Sequence, residues 1–159
     1  MNETGYLYSI HKGKFEEEQD IYVKFDKIPM DHGTFRDCYL GKIYDEKGNQ
    51  VVNEEFPNGY CVVKIPKKGF YNYKLDFICS EFANKLAIKY NNEVAKIPDK
   101  INFILPYGAK LDKFKGKNIA NNIVSVEPYL DGEYIKFYNN DGAPFEKYLL
   151  LHFVITLGK

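Results

Sequence analysis

Lys64 is the residue whose position most strongly suggests chemistry, because it lies inside an apolar run rich in β-branched side chains. Val62, Val63 and Ile65 surround it and Pro66 follows, which predicts a short strand that ends at the proline. An ammonium group in such a strand is costly to desolvate unless an anion meets it. Phosphate oxygens would serve as that anion. The alternative interpretation is an edge-strand lysine whose charged end reaches water.

Two further positions carry side chains suited to binding. Gly33 and Arg36 lie in the sequence HGTFR, a predicted turn that enters a strand. Glycine lets a backbone approach a ligand closely, and arginine suits bidentate contact with phosphate. Glu127 and Pro128 end a second apolar run, where the proline frees the following backbone to pair with a planar ligand edge. An ordinary turn with a surface arginine, and a rim charge beside a strand-ending proline, are the alternatives.

Metal and nucleophile motifs are weak in this sequence. His152 lies in the apolar run LLLHFVI, where a lone histidine is typically a core residue rather than a ligand. His11 and His32 show no ligand-like spacing, and the three cysteines form no CxxC pair. There is also no P-loop motif. The residues alone therefore give no zinc site and no nucleophilic catalytic set.

The elements that must position these residues are mostly short strands around one helix. The helix is predicted over Asp76 to Tyr90, with an apolar stripe expected to pack on the sheet. That stripe consists of Ile78, Phe82, Leu86 and Tyr90 with Cys79, Ala83 and Ala87 beside it. Strands are predicted at 6–10, 21–25, 35–44, 61–65, 101–105, 123–129 and 133–137. This order predicts an α+β fold in which one main helix packs on a curved antiparallel sheet.

Composition excludes several classes of function. The chain has 22 Lys plus Arg and 22 Asp plus Glu, so its net charge is zero and predicts neither a nucleic-acid nor a membrane partner. No apolar run is long enough to span a bilayer. Three widely spaced cysteines predict reduced thiols and a cytoplasmic location.

Five segments, taken together and in order, resemble the alpha-kinase family of atypical protein kinases. They are KIPMDHGTFRDCYLG, CVVKIPKK, DFICSEFANKLAIKYN, VEPYLDGEYIKFYNNDG and LLHFVITLGK. The most specific is the block that begins Glu127-Pro128-Tyr129. The resemblance extends over about residues 22 to 158 and implies the amino-terminal lobe of a kinase domain.

The resemblance also implies a role for each matched residue. Lys64 looks like the family's catalytic, phosphate-binding lysine, and Arg36 after Gly33 looks like the arginine near the nucleotide phosphates. Glu127 is similar to the glutamate beside the adenine, with backbone contacts from Tyr129 and Leu130. His152 matches one of four zinc ligands, whose other members have no counterpart here, so zinc is not expected to bind. ATP and Mg²⁺ are the implied ligands.

The same resemblance predicts how far the domain extends. We expect residues 1–20 to form an amino-terminal strand or extension and residues 21–159 to form an alpha-kinase-like domain that ends before the catalytic carboxy-terminal lobe. The implied reaction transfers the γ-phosphate of ATP to protein Ser or Thr, and we expect this chain alone not to perform it without a partner that supplies the missing lobe. The protein substrate is not specified. A non-catalytic, pseudokinase-like nucleotide-binding or regulatory module, or a β-rich interaction domain without nucleotide binding, are the alternatives.

Overall fold

A computed structural model describes residues 3–11, 14–67, 73–93, 100–111 and 123–132. Side chains are described within 21–67, 75–93, 100–111 and 123–132. The strands are β1 (Glu3–His11), β2 (Lys14–Phe25), β3 (Asp31–His32), β4 (Arg36–Tyr44), β5 (Tyr60–Pro66), β6 (Tyr107–Leu111) and β7 (Ile123–Pro128). The described helix is α1 (Tyr73–Glu93), and it does not have the length and apolar character needed to cross a bilayer.

The sheet is antiparallel and closes on itself. Its strand order is β2-β1-β6-β7-β5-β4-β3, and an additional pairing joins β2 to β4. Six strands therefore form a ring, while β3 pairs with the beginning of β4. The predicted curved antiparallel sheet is confirmed. β2 is continuous through 14–25, so the boundary expected at residue 21 falls within a strand.

The core lies inside this ring and follows the period-two alternation of its strands. In β5, Cys61, Val63 and Ile65 are buried while the residues between them are partly exposed. The other buried members are Val23, Phe25, Ile43, Phe56, Ala109, Leu111, Val124 and Val126. Burial raises the pKa of the Cys61 thiol to about 12, so this cysteine acts as a neutral packing group.

Gly41 allows β2, β4 and β5 to meet at one point of the ring. It pairs with Phe25 on one side and with Cys61 on the other. A Cβ atom at this position would lie 2.9 Å from Cys61 Sγ and 3.1 Å from the Lys24 carbonyl oxygen. A glycine inside a strand commonly marks such a close approach.

The helix packs with a different face from the one predicted. Ile78, Phe82 and Leu86 are exposed by 54%, 63% and 52%, whereas Phe77 and Ala87 are buried. At about 100° per residue, Phe77 lies roughly opposite the centre of the stripe, whereas Ala87 belongs to the row beside it. The predicted packing of that stripe is therefore wrong. Apolar periodicity identified the helix, but it could not show which face the rest of the structure covers.

Several element boundaries also differ from the predictions. Residues 101–105, predicted as a strand, are irregular, and the strand β6 follows them at Tyr107–Leu111. β2 begins at Lys14, seven residues before the strand predicted at 21–25. The predicted strand at 133–137 lies outside the described residues.

The chain divides into two compact units. The first contains Met1–Phe82 and Ile104–Tyr129 and holds the whole described sheet. The second contains Ala83–Phe103 and Leu130–Lys159. Within the second unit, the Asn91 side chain pairs with the Ile101 backbone, since its amide donates to the carbonyl at 2.7 Å and accepts from the N–H at 3.0 Å. This pair fixes the end of α1 to the irregular segment.

The helix orientation gives a prediction about stability. Phe77→Ala should lower the free energy of unfolding by about 3–5 kcal/mol, because it removes a buried ring. Leu86→Ala, its matched control on the exposed stripe, should cost less than about 1 kcal/mol. Urea denaturation measures both values. A larger cost at Leu86 than at Phe77 would contradict the observed orientation.

Ring closure gives a second prediction. Gly41→Ala should destabilise the chain by about 1–3 kcal/mol, because the added methyl group meets a buried sulfur atom and a backbone carbonyl oxygen. Thermal denaturation followed by circular dichroism measures this cost. A neutral or stabilising result would show that the three strands do not approach as closely as described.

Candidate functional site

The alternation of β5 places Lys64 on the outer side of the ring. Because Cys61, Val63 and Ile65 point into the core, Val62 and Lys64 point outward. Lys64 is opposite Cys38 on β4 and opposite Ser125 on β7. The residue therefore lies in the middle strand of three, and the alternative of an edge-strand lysine is wrong.

Glu127 reaches Lys64 from the neighbouring strand. It is paired with Val62, so its side chain emerges on the same face as that of Lys64. Lys64 Nζ donates to Glu127 Oε2 at 2.5 Å, and the two side chains are 28% and 18% exposed. The structure thus brings these two candidate residues together on one face. Their roles towards a ligand stay predictions.

Arg36 lies on the same face and is bound to the helix. Its partner across the sheet is Pro66, two residues after Lys64. Arg36 Nη2 donates to Asp76 Oδ2 at 2.6 Å, which joins the start of β4 to the first turns of α1. Sequence reasoning missed Asp76 as a partner, because an acidic residue near a helix start is usually explained by the helix dipole.

The Cys38 thiol lies close enough to the charged side chains of this face for them to shift its pKa. Partial burial raises the pKa of its thiol, and the ammonium group of Lys64 opposes that rise. Asp31 and Glu127 raise the thiol pKa further, while Arg36 lowers it. All four charged groups therefore act on one sulfur atom. The outer face of β4, β5 and β7 is a cluster of cations and carboxylates around a neutral thiol.

Gly33 belongs to the tight turn that precedes Arg36. Its N–H donates to the Arg36 carbonyl oxygen at 2.9 Å, with Thr34 and Phe35 forming the tip. A Cβ atom on Gly33 would lie 3.1 Å from that carbonyl oxygen, so the turn has little space for a side chain. Phe35 is 70% exposed at the tip.

Asp37 binds the turn from the other side of the sheet, a role that no local pattern in the sequence indicates. The residue is nearly buried and accepts from His32 Nδ1 at 2.9 Å and from Lys67 Nζ at 3.3 Å. The Lys67 N–H also donates to the Phe35 carbonyl oxygen at 2.9 Å. These bonds connect the turn to the end of β5 and fix the start of the strand that carries Arg36.

The remaining predicted residues are placed less favourably or not at all. The Tyr129 N–H donates to the Tyr60 carbonyl oxygen at 3.1 Å, so it is not available to a ligand. Leu130 is exposed and is the first residue of its segment in the second compact unit. His152 lies outside the described residues. Within the described ranges, no three His, Cys, Asp or Glu side chains are grouped as metal ligands.

Comparison with known proteins identifies the family. The sequence profile of the alpha-kinase family matches residues 31–151. The chain belongs to the alpha-kinase family. Myosin heavy chain kinase B of Dictyostelium discoideum is 31% identical over 126 residues, which are 76% of this chain and 15% of that protein. The chain thus spans a small part of this alpha-kinase relative.

Solved structures support the same fold assignment. The alpha-kinase domain of myosin heavy chain kinase A in complex with ADP matches with a TM-score of 0.64 at 21% identity, covering 91% of this chain and 66% of that one. The same domain in complex with AMP matches with a TM-score of 0.66, also at 21% identity, covering 91% and 69%. The sheet and helix therefore have the fold of the amino-terminal lobe of an alpha-kinase, and they cover part of that domain.

The ion pair in this alpha-kinase lobe gives a testable coupling. Lys64→Met leaves a largely buried carboxylate without its cation and should destabilise the chain more than the same change in a Glu127→Gln background. The double-mutant cycle should give an interaction energy of about 0.5–3 kcal/mol by urea denaturation. Additive costs would show that the two side chains do not interact in solution.

Proposed function

We propose that this chain is the nucleotide-binding lobe of an alpha-kinase and binds ATP on the face that carries Lys64. The observation that carries the proposal is the position of Lys64, central in the sheet, partly exposed, and close to a second cation on the same face. Two fixed cations on one surface suit the adjacent negative charges of a polyphosphate. Solved relatives are complexes with ADP and ATP, which agrees with this choice of ligand.

Each cation has a carboxylate partner before any ligand binds. Lys64 pairs with Glu127, and Arg36 pairs with Asp76. Phosphate oxygens would compete with these carboxylates for the same donors, so binding exchanges one ionic partner for another. This arrangement spares the free protein the cost of a partly buried cation without a counter-ion. It also makes the net gain from the phosphates smaller than their direct attraction to Lys64.

The adenine side of the proposed site is assigned to the end of β7. Glu127 ends this strand together with Pro128, and we propose that the backbone beyond them contacts the base edge. Since the Tyr129 N–H is already bonded, the Leu130 N–H is the donor that we propose for this contact.

The activity proposed for the complete domain is transfer of the γ-phosphate of ATP to Ser or Thr of a protein. Lys64 would hold phosphate oxygens and stabilise the charge that builds up during transfer. Mg²⁺ is the accompanying ion that we propose, since it binds nucleotides through phosphate oxygens. The described residues offer no group of carboxylates to which we assign this ion.

A cytoplasmic location is proposed from the cysteines. Cys38, Cys61 and Cys79 are all free thiols, and Cys79 is exposed. Free exposed thiols are typical of reducing compartments.

ATP binding is tested by isothermal titration with the 159-residue chain. Lys64→Ala should weaken the binding free energy of ATP by about 1–3 kcal/mol, the usual cost of losing a charged hydrogen-bond donor. The same substitution should reduce the affinity for adenosine far less, because adenosine lacks phosphates. The control variant Lys110→Ala removes an exposed strand lysine and should leave both ligands unchanged.

The contrary outcomes are distinct. Equal weakening of ATP and adenosine would show that Lys64 does not contact phosphate. No ATP binding by the wild-type chain would favour a β-rich interaction domain. ATP binding without phosphate transfer by a protein that contains the complete domain would favour a regulatory, pseudokinase-like module.

A further inference from the structure

The outer side of β2, β4 and β5 carries a second cluster of cations, away from the Lys64–Glu127 pair. We call it the Tyr–Lys face, and it consists of Tyr22, Lys24, Lys42, Tyr44 and Tyr60. Tyr22 is opposite Tyr44, Lys24 is opposite Lys42, and Lys42 is opposite Tyr60. Directly paired residues of antiparallel strands project to the same side of a sheet. All five side chains are partly exposed.

The two lysines are an unfavourable pair for the fold itself. Like charges directly opposite each other on neighbouring strands destabilise a sheet. Among the described side chains, neither lysine has a carboxylate within ion-pair distance. The carboxylate of Asp45, next to Tyr44, instead accepts from the Asn49 backbone and side chain at 2.7 and 3.0 Å. No described carboxylate therefore neutralises the two positive charges at these positions.

Aromatic rings hold both ammonium groups in place. Lys24 Nζ lies 4.7 Å from the centroid of the Tyr44 ring and 5.2 Å from that of Tyr22. Lys42 Nζ lies 4.8 Å from the Tyr60 centroid. A ring attracts a cation without neutralising it, so both lysines keep their full charge for a ligand.

The rings themselves are mutually packed. Tyr22 and Tyr44 stack with their centroids 5.8 Å apart and their planes at 20°. Tyr60 contacts Tyr129 with centroids 6.5 Å apart. The face is thus a platform whose charged groups are positioned before a ligand arrives, which lowers the entropy cost of binding.

The lysines of this face are separate from the cations at the phosphate side of the proposed nucleotide site, whereas Tyr60 borders its adenine side through Tyr129. Lys42 is four residues from Cys38 along β4, and Tyr60 is four residues from Lys64 along β5. At about 3.4 Å per residue, the two clusters lie roughly 14 Å apart along the strands. Lys24 and Lys42 therefore form a second centre of positive charge on the outer side of the sheet.

We propose that the Tyr–Lys face binds an acidic segment of a partner polypeptide, rich in Glu or Asp. Two adjacent ammonium groups match two carboxylates of an extended peptide, and the rings offer apolar surface to its side-chain methylenes. A nucleic acid fits less well, since its affinity comes from many phosphate contacts and the chain has no net positive charge. The proposal does not rest on nucleotide binding.

The test uses the 159-residue chain and a fluorescein-labelled poly-glutamate peptide, followed by fluorescence anisotropy at low salt. The wild-type chain should bind this peptide and not a labelled poly-glutamine peptide. Lys24→Gln with Lys42→Gln should weaken binding by at least about tenfold, because two charged contacts are lost. Each single variant should show an intermediate loss. Circular dichroism melting checks that the variants fold.

Two control variants isolate the effect of the face. Replacing both lysines with arginine keeps the charges and should keep the binding. Lys110→Gln removes one exposed strand lysine on β6 and should change nothing.

Four results would overturn the proposal. They are no binding of poly-glutamate by the wild-type chain, undiminished binding by the double glutamine variant, displacement of the peptide by ATP, and tighter binding of a labelled oligo-uridine that the same variant abolishes. The third would place the peptide in the nucleotide site, and the fourth would identify a nucleic-acid surface.

Discussion

The register between β5 and β7 is the constraint on which both the core and the candidate site depend. Val63 is opposite Val126, and both are fully buried inside the ring. The same pairing sends Lys64 and Glu127 to the outer surface, where they meet. A slip of one residue would bring the charged pair into the core and expose the valines. Burial of the apolar face therefore fixes the position of the ionic face.

Cationic side chains on the outer surface of the sheet have two kinds of partner, carboxylates and aromatic rings. Near Cys38, each cation is matched by a carboxylate, so the cluster is close to neutral without a ligand. On the Tyr–Lys face, the lysines lie over rings and keep their charge. The first arrangement suits a ligand that must displace an internal partner, whereas the second suits one that is attracted from a distance. Neighbouring parts of one surface thus differ in their response to anions.

Local patterns in the sequence predicted the strand around Lys64, the existence of the helix and the antiparallel class, because these follow from side-chain spacing alone. The face by which α1 packs was predicted wrongly, since Ile78 and Phe82 form the stronger apolar stripe and yet remain exposed. Residues 101–105 have strand-like composition without the pairing partner that a strand requires. The Arg36–Asp76 contact joins residues 40 apart in sequence, and no local pattern encodes it.

Ring closure also governs the order in which this lobe can assemble. Gly5 pairs with Leu111, and Lys64 bonds to a residue 63 positions later in the chain. Contacts between such distant residues must overcome the entropy of closing long loops, and proteins that depend on them fold slowly. During synthesis, β5 leaves the ribosome well before β7, so Lys64 has no Glu127 partner for that interval. The ionic face is consequently among the last parts of the lobe to form.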